Sequence, residues 1–260
     1  MVESTLSLCT VTFNNEGNIE KFIRNVEEVL EGHESTLFIV DNGSTDNTVN
    51  VIKKLQCEFS NIKLRQPEFN KGFGAGNNFI LKELSSDYHI VLNSDIIIDS
   101  YNEINKMINY MDNNVNVGLL SPQLLNIDGT IQKLYKHNPS LLDMGLRFIS
   151  PKIMTKRQAW FVHDESGYNQ LGMIEHASGA FMLFRTSIFK DIQGFDERYF
   201  MYMEDADITR EVNQISRAMY YPSSTITHEW QRDSHKKFRY MMMTFKSMGK
   251  YFNKWGWKII

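Results

Sequence analysis

Tyr88-His89-Ile90-Val91-Leu92-Asn93-Ser94-Asp95-Ile96-Ile97-Ile98-Asp99 sets an apolar run against a polar stop. His89 to Leu92 has the unbroken character of a strand buried on both faces. Asn93-Ser94-Asp95 then places polar oxygens at the carboxyl end of that strand, the edge where open α/β sheets bind ligands. Asp95 offers a hard oxygen of the kind Mg²⁺ or Mn²⁺ accepts, and such ions often carry substrate phosphates. The same tripeptide also serves as an ordinary turn, so the surrounding chain has to decide between the two.

Upstream, strand-like and helix-like segments alternate. Leu6 to Phe13 reads as a first buried strand. Ile19, Phe22, Ile23, Val26 and Leu30 share a helical face that ends before Gly32. Thr36 to Val40 reads as a second strand and runs into the turn cluster Asp41-Asn42-Gly43-Ser44-Thr45-Asp46. A helix through Val49, Ile52, Leu55 and Phe59 and a short strand from Ile62 to Leu64 follow. Next come Asn70-Lys71-Gly72-Phe73-Gly74-Ala75-Gly76-Asn77-Asn78 and a helix through Phe79 and Leu81. This rhythm predicts a parallel sheet with right-handed crossovers.

The rhythm changes near Val115. Val117 to Leu120 and Ala180 to Phe184 read as strands on either side of a polar, aromatic stretch from Asn126 to Glu175. Its periodicity assigns no structure, and so long a connection is expected to close over substrate. A short helix covers Ser187 to Ile192, a second opens at Glu204-Asp205-Ala206-Asp207, and Met219 to Tyr221 and Thr225 to Thr227 read as short β pieces before His228.

With 260 residues the chain can bury a sizeable core. A net charge of −3 argues against a nucleic-acid partner. Cys9 and Cys57 are the only cysteines; both read as reduced core or near-core thiols, as in a reducing compartment. The opening residues do not look like a secretion signal, and no apolar run approaches the roughly 20 residues a membrane span needs. The expectation is a cytoplasmic protein.

Several groups could do chemistry at the converging strand ends. Phe13, beside Thr12, could stack on a pyrimidine, and Asp41 could accept from the ring N–H; as a plainer alternative Asp41 caps the next helix. The glycine cluster lacks the dinucleotide fingerprint, yet it allows close backbone approach, and Asn70 and Lys71 could touch phosphate or ribose. Glu204, Asp205 and Asp207 open a helix, where acids also offset the dipole. The apolar approach Tyr199 to Met203 predicts a carboxylate of raised basicity there. His228 ends a strand, and Arg232, Lys236 and Lys237 beyond it could hold a diphosphate.

These pieces, in this order, resemble the inverting glycosyltransferases of family 2. The matching blocks are Val11-Thr12-Phe13-Asn14, Ile39 to Asp46, Asn70 to Asn77, Leu92 to Asp95, Ser178 to Met182, Gly194 to Glu197, Glu204 to Asp207, and His228. The pattern is most similar to rhamnosyltransferases of bacterial surface polysaccharide synthesis. The resemblance implies a GT-A fold, Rossmann-like, with a mostly parallel central sheet flanked by helices and a C-terminal amphipathic helical extension. Residues 1–115 would form the nucleotide-sugar half, 116–234 the acceptor-binding and catalytic half, and 235–260 the tail. It implies nucleotide-sugar contacts from Thr12, Phe13, Asp41, Asn42, Asn70, Lys71, Gly72, Asn77, Asn93, Ser94 and Arg232. A Mg²⁺ or Mn²⁺ ion would sit on Asp95 and His228, with Asn93 where the family's motif carries its first carboxylate. Glu204-Asp205 would supply the base, Asp205 first. The implied donor is dTDP-L-rhamnose and the acceptor a lipid-linked saccharide. A UDP-hexose donor (glucose, galactose or N-acetylhexosamine) or an inactive nucleotide-sugar-binding protein are the alternatives, and the oligomeric state stays open.

In the tail, Phe238, Met241, Met242, Phe245, Met248, Phe252 and Trp255 gather on one side of a helical wheel, with Arg239, Lys246, Lys250 and Lys254 opposite. A basic, aromatic-rich amphipathic helix suits the anionic inner face of a membrane. Docking on the enzyme's own core is the alternative.

Overall fold

The computed structural model describes residues 4–149, 152–229 and 238–260. Its first half follows the alternation read above: β1 (Leu6–Thr12), α1 (Ile19–Val29), β2 (Ser35–Asp41), α2 (Thr48–Glu58), β3 (Ile62–Arg65), α3 (Phe73–Asn78) and β4 (Tyr88–Leu92). β1 pairs in parallel with both β2 and β4, and β2 with β3. β1, β2 and β4 are buried on both faces because successive side chains point to opposite layers, whereas β3 lies at the edge and is partly exposed. Leu8, Ile39 and Ile90 enter one core, and Cys9, Val40 and Val91 enter the other. α1 buries Ile19, Phe22, Ile23 and Val26 at helical spacing.

The second half is built differently. It contains β5 (Ile96–Ile97), α4 (Tyr101–Asn113), β6 (Val117–Leu125), α5 (Leu141–Ile149), α6 (Thr155–Phe161), β7 (Gly172–Met173), β8 (Phe181–Arg185), α7 (Thr186–Asp191), α8 (Glu204–Ile215), β9 (Arg217–His228) and α9 (Phe238–Trp255). One sheet runs β3-β2-β1-β4-β8-β6-β9-β5, with β7 on β9. β8 is antiparallel to β4 and β6, and β9 antiparallel to β5 and β7, so only part of the sheet is parallel.

Several local expectations change. The stretch from 126 to 175, left without structure by its sequence, holds α5, α6 and β7. α4, a three-turn helix burying Ile104, Met107, Ile108 and Met111, went unread. The two β pieces around residues 219–227 are one strand whose register against β6 shifts between Pro122 and Gln123. Proline cannot donate to the ladder, which accounts for a break there. α3 ends at Asn78, before Phe79 and Leu81. Cys9 is buried as expected, but Cys57 is exposed.

The tail helix α9 docks on the protein itself. Met248, Tyr251 and Phe252 share a core with Met144, Tyr199, Met203 and Ala206. Ser247 donates to the Met201 carbonyl (2.8 Å), Lys254 pairs with Asp207 (2.7 Å), and Trp255 Nε1 donates to Asp207 (2.6 Å). α9 therefore braces the turn that leads into α8.

Candidate active site

The carboxyl ends of β1, β2 and β4 form one rim. Thr12 lies opposite Asp41, and the Asn42 N–H donates to the Thr12 carbonyl (2.8 Å). Asn15, in the loop after β1, donates to Ser94 Oγ (2.6 Å), which ties that loop to the Asn-Ser-Asp turn. The Asn42 amide donates to the Gly72 carbonyl (3.0 Å), and the Phe73 N–H to Phe200 O (3.1 Å). Gly72 has φ +97°, and a Cβ there would lie 1.9 Å from Phe200 O, so only glycine fits. A Cβ on Gly179 would lie 3.5 Å from the Phe73 ring and 3.6 Å from Asp205 Cβ, and the Asn93 N–H donates to Ala180 O (3.0 Å). These bonds tie the loops that carry Asp41, Asn93-Ser94-Asp95 and Gly72-Phe73 to one another, and Gly179 packs close to both Phe73 and Asp205.

The expected nucleotide residues divide by exposure. Phe13 is 53% exposed, and Asn70 and Lys71 are exposed as well. Asn93, Ser94 and Asp95 are half-buried. Thr12, Asn42, Gly72 and Asn77 are buried; Asn77 donates to the Phe73 carbonyl within α3 (3.0 Å), and Asn70 accepts from the Gly72 N–H (3.0 Å). The glycines bring the chain close to the protein's own Phe200, Phe195 and Val11. Asp41 is 1% exposed, and its oxygens accept from Gly43 N (3.2 Å), Ser44 N (3.1 Å) and Ser44 Oγ (2.5 Å). In this conformation it anchors its own turn, and a base would reach it only if that turn shifts. Arg232, with Lys236 and Lys237, lies outside the described residues.

The acids at the start of α8 differ from the expectation in an instructive way. Tyr202 and Met203 both adopt φ +69°, a strained conformation for side-chain-bearing residues, and so bring the helix start into the cleft. Burial, helped by the Asp205 charge, pushes the Glu204 carboxyl up to about 8. Burial also works to raise Asp205, but the His176 imidazole (Nε2 3.3 Å from Oδ2) and Lys136 outweigh it and hold that carboxyl well below the usual range. The apolar approach raises Glu204; Asp205 is the one kept ionised. Asp207 is buried and committed to α9, with Tyr199 donating to it as well (3.2 Å).

His176 escaped the sequence reading. It bridges to Lys136 across two irregular segments and sits two residues before Ser178, in the block that carries the family resemblance. That position was its only available signal.

At the far side of the rim, β5 pairs with the end of β9, which brings Ile96 opposite His228. His228 Nε2 and Asp95 Oδ1 lie 3.2 Å apart. Both atoms are buried and neither makes a hydrogen bond among the described residues. One imidazole nitrogen and one carboxylate oxygen, 3.2 Å apart but not aligned for a hydrogen bond, suit a divalent cation that takes its other ligands from phosphate and water. No group of three or more metal-binding side chains occurs among the described residues.

A cavity of ≈ 560 Å³ is lined by Gln132, which bonds His228, by Lys136, whose charge acts on Asp205, and by Leu146, Ala159, Phe161 and Val162 among others. That volume lies in the range of small-molecule sites.

A mixed α/β sheet thus carries a carboxylate–imidazole pair at a strand end and, at the start of α8, an acid kept ionised beside a histidine. The chain belongs to glycosyl transferase family 2, whose model matches residues 7–193, and is a glycosyltransferase. It is similar to the N-acetylglucosaminyl-diphospho-decaprenol L-rhamnosyltransferase of Mycobacterium tuberculosis, 27% identical over 242 residues that span 86% of this chain and 75% of that protein. It is also similar to rhamnosyltransferase WbbL of Escherichia coli K12, 27% identical over 180 residues, covering 64% of each chain. Among solved structures, the mannosyltransferase PcManGT from Pyrobaculum calidifontis, in complex with GDP-Man and Mn²⁺, superposes with a TM-score of 0.68 at 12% identity, covering 96% of this chain and 65% of that one. GalNAc-T7 with UDP, GalNAc and Mn²⁺ superposes at 0.66 and 13% identity, covering 96% and 48%. At those identities the likeness establishes the GT-A-type fold.

Proposed function

We propose that this glycosyltransferase moves L-rhamnose from dTDP-L-rhamnose onto the saccharide end of a lipid-linked acceptor, with inversion at the anomeric carbon. The observation that carries the reading is the placement of Asp205 at the start of α8 with His176 Nε2 3.3 Å from its carboxylate. A base must be ionised to accept a proton, and Asp205 is the acid that His176 and Lys136 hold in that form. The acceptor hydroxyl gives its proton to Asp205 as its oxygen attacks the anomeric carbon in line, and the bond to the diphosphate breaks on the opposite face. Such general-base help is worth ~10²–10⁴-fold. Glu204, buried and protonated, holds its neighbour's charge without adding a second one.

Asp95 and His228 would hold a divalent cation. Such an ion supplies positive charge to the departing diphosphate, worth several kcal/mol. Arg232, Lys236 and Lys237 are candidates to help. Phe13 offers an exposed ring to the base at the rim, and Asn93 and Ser94 flank the phosphates. Residues 1–115 act as the donor half. Residues 116–234 act as the acceptor half, with the cavity at Gln132, Lys136 and Phe161 as the place for the acceptor saccharide.

The donor choice leans on the rhamnosyltransferase relatives. Thymine and uracil share the ring N–H that Asp41 would meet, so residues alone do not separate dTDP from UDP donors. Membrane contact falls to what α9 leaves outside: Met242, Phe245, Trp257, Ile259 and Ile260 are exposed, and Lys246 beside them is basic. The Leu141 and Leu142 N–H groups bond the Lys258 and Ile259 carbonyls (2.9 and 3.1 Å), which joins this end to α5. An anionic inner membrane face would meet that surface. No helix of the described residues is long and apolar enough to cross a bilayer.

The test is turnover of purified protein with dTDP-L-rhamnose, UDP-glucose, UDP-galactose and UDP-N-acetylglucosamine, each with a diphospholipid-linked N-acetylglucosamine. NMR would read the product's anomeric configuration. Rhamnosyl transfer with inversion is expected. Transfer only from a UDP-hexose would replace the donor, and binding without transfer from any of them would favour an inactive protein.

A further inference from the structure

We infer that Gln132 is a positioning residue that fixes the ring tautomer of His228 and thereby makes its Nε2 a metal ligand. This rests on the proposed role of His228 and Asp95 as holders of the cation. The argument is one of donor direction. Asp128, in the turn after β6, accepts the Thr130 hydroxyl proton (2.6 Å), since a carboxylate can only accept. The Thr130 oxygen is then free to accept from the Asn126 amide Nδ2 (2.8 Å). That sets the Asn126 carbonyl oxygen toward Gln132, whose Nε2 donates to it (2.9 Å) and to the His228 backbone carbonyl (2.9 Å). Both partners are acceptors there, so the Gln132 amide has one orientation open to it. Its carbonyl oxygen must face His228 Nδ1, at 2.8 Å.

A carbonyl oxygen opposite Nδ1 requires Nδ1 to carry the proton. In the neutral ring the lone pair then falls on Nε2, the atom 3.2 Å from Asp95 Oδ1. Two lone-pair atoms 3.2 Å apart repel, and a cation coordinated by both would remove the repulsion. Gln132 and His228 are each 5% exposed, so water does not readily take the amide's place. Outer partners of this kind set ligand orientation, and their loss typically costs 10–100-fold in metal affinity. Gln132 also lines the proposed acceptor cavity, so the residue that aims the metal ligand touches the space where the acceptor would bind.

The test uses the full-length chain with ¹⁵N-labelled histidine. Two-bond ¹H–¹⁵N correlation NMR on the metal-free protein, with His228 assigned by His228→Gln, reads the tautomer directly. Nδ1–H is expected; Nε2–H, or a doubly protonated ring at pH 7.5, would overturn the inference without any variant. Mn²⁺ titration followed by EPR, with dTDP present, is the second arm. Gln132→Leu should weaken Mn²⁺ binding 10–100-fold, whereas Gln132→Asn, which keeps both the carbonyl acceptor and the amide donor on a shorter side chain, should retain more of the affinity. Equal loss in both variants, or no loss in Gln132→Leu, would reduce Gln132 to packing. If the wild type binds no Mn²⁺, the metal reading itself falls, and the ring tautomer still reports separately on what Gln132 does.

Discussion

His176 Nε2 lies 3.3 Å from Asp205 Oδ2, and that imidazole, with Lys136, keeps the Asp205 carboxyl ionised against the pull of burial. A carboxyl held below its usual range is ready as a base down to acidic pH. Replacing His176 by Phe removes the favourable partner and leaves the desolvation, so the Asp205 carboxyl rises. The acid limb of the pH profile of kcat/KM should move to higher pH in His176→Phe. An unmoved limb would separate the titration from Asp205.

Glu204 gives a stability signature of opposite sign. Its carboxyl rises from the ordinary 4.5 to about 8 in the folded protein. Between those values the folded state binds more protons than the unfolded one, so stability falls as pH rises. The contribution is complete below about 4.5 and lost above about 8. Glu204→Gln has no such proton, so its Tm should decline less than the wild type's between pH 5 and 8, as differential scanning calorimetry would show. Parallel curves would place the charge elsewhere.

The Asp95–His228 pair predicts metal dependence. EDTA should abolish transfer, with Mn²⁺ or Mg²⁺ restoring it. Asp95→Asn and His228→Ala should each lower kcat/KM by ~10²–10³-fold, the size of a loss of several kcal/mol in stabilising the leaving charge. Full activity in EDTA would remove the ion from the account.

The brace between α9 and α8 predicts coupled losses. Lys254→Met leaves the Asp207 carboxylate buried without its cation, which costs about 3 kcal/mol in urea unfolding. Ser247, Lys254 and Trp255 hold the turn and helix that carry Glu204 and Asp205, so kcat should fall in the same variant. By contrast, Phe245→Glu alters an exposed position and should leave the fold intact. If the exposed end of α9 lies on membranes, that variant should lose affinity for anionic vesicles while Tm stays put.

The parallel half of the sheet was legible because its signals are local. Buried runs such as Leu6 to Thr12, and helical spacing such as Ile19 to Val26, need no knowledge of distant partners. The second half depends on long-range pairing: β8 enters between β4 and β6, and β9 between β6 and β5. No periodicity encodes that order. Asp95 and Asp205 were singled out from a strand end and a helix start, features that a sequence does display. His176 and Gln132 were not, because each acts through a residue far away in the chain, 29 and 96 positions distant. The amphipathic pattern of α9 was read correctly as a pattern, but nothing in it distinguishes a membrane from the protein's own α8. Asp41 illustrates the same limit, since an acid before a Gly-Ser turn looks alike whether it anchors that turn or awaits a base.

The most direct measurement is Asp205→Asn, assayed for transfer and for donor binding on one preparation. Asn keeps the size of Asp and one acceptor oxygen but cannot take up the hydroxyl proton. The account predicts a fall in kcat of ~10²–10⁴-fold, with the calorimetric affinity for dTDP-L-rhamnose nearly unchanged. Retained turnover, or loss of donor binding in place of turnover, would contradict it.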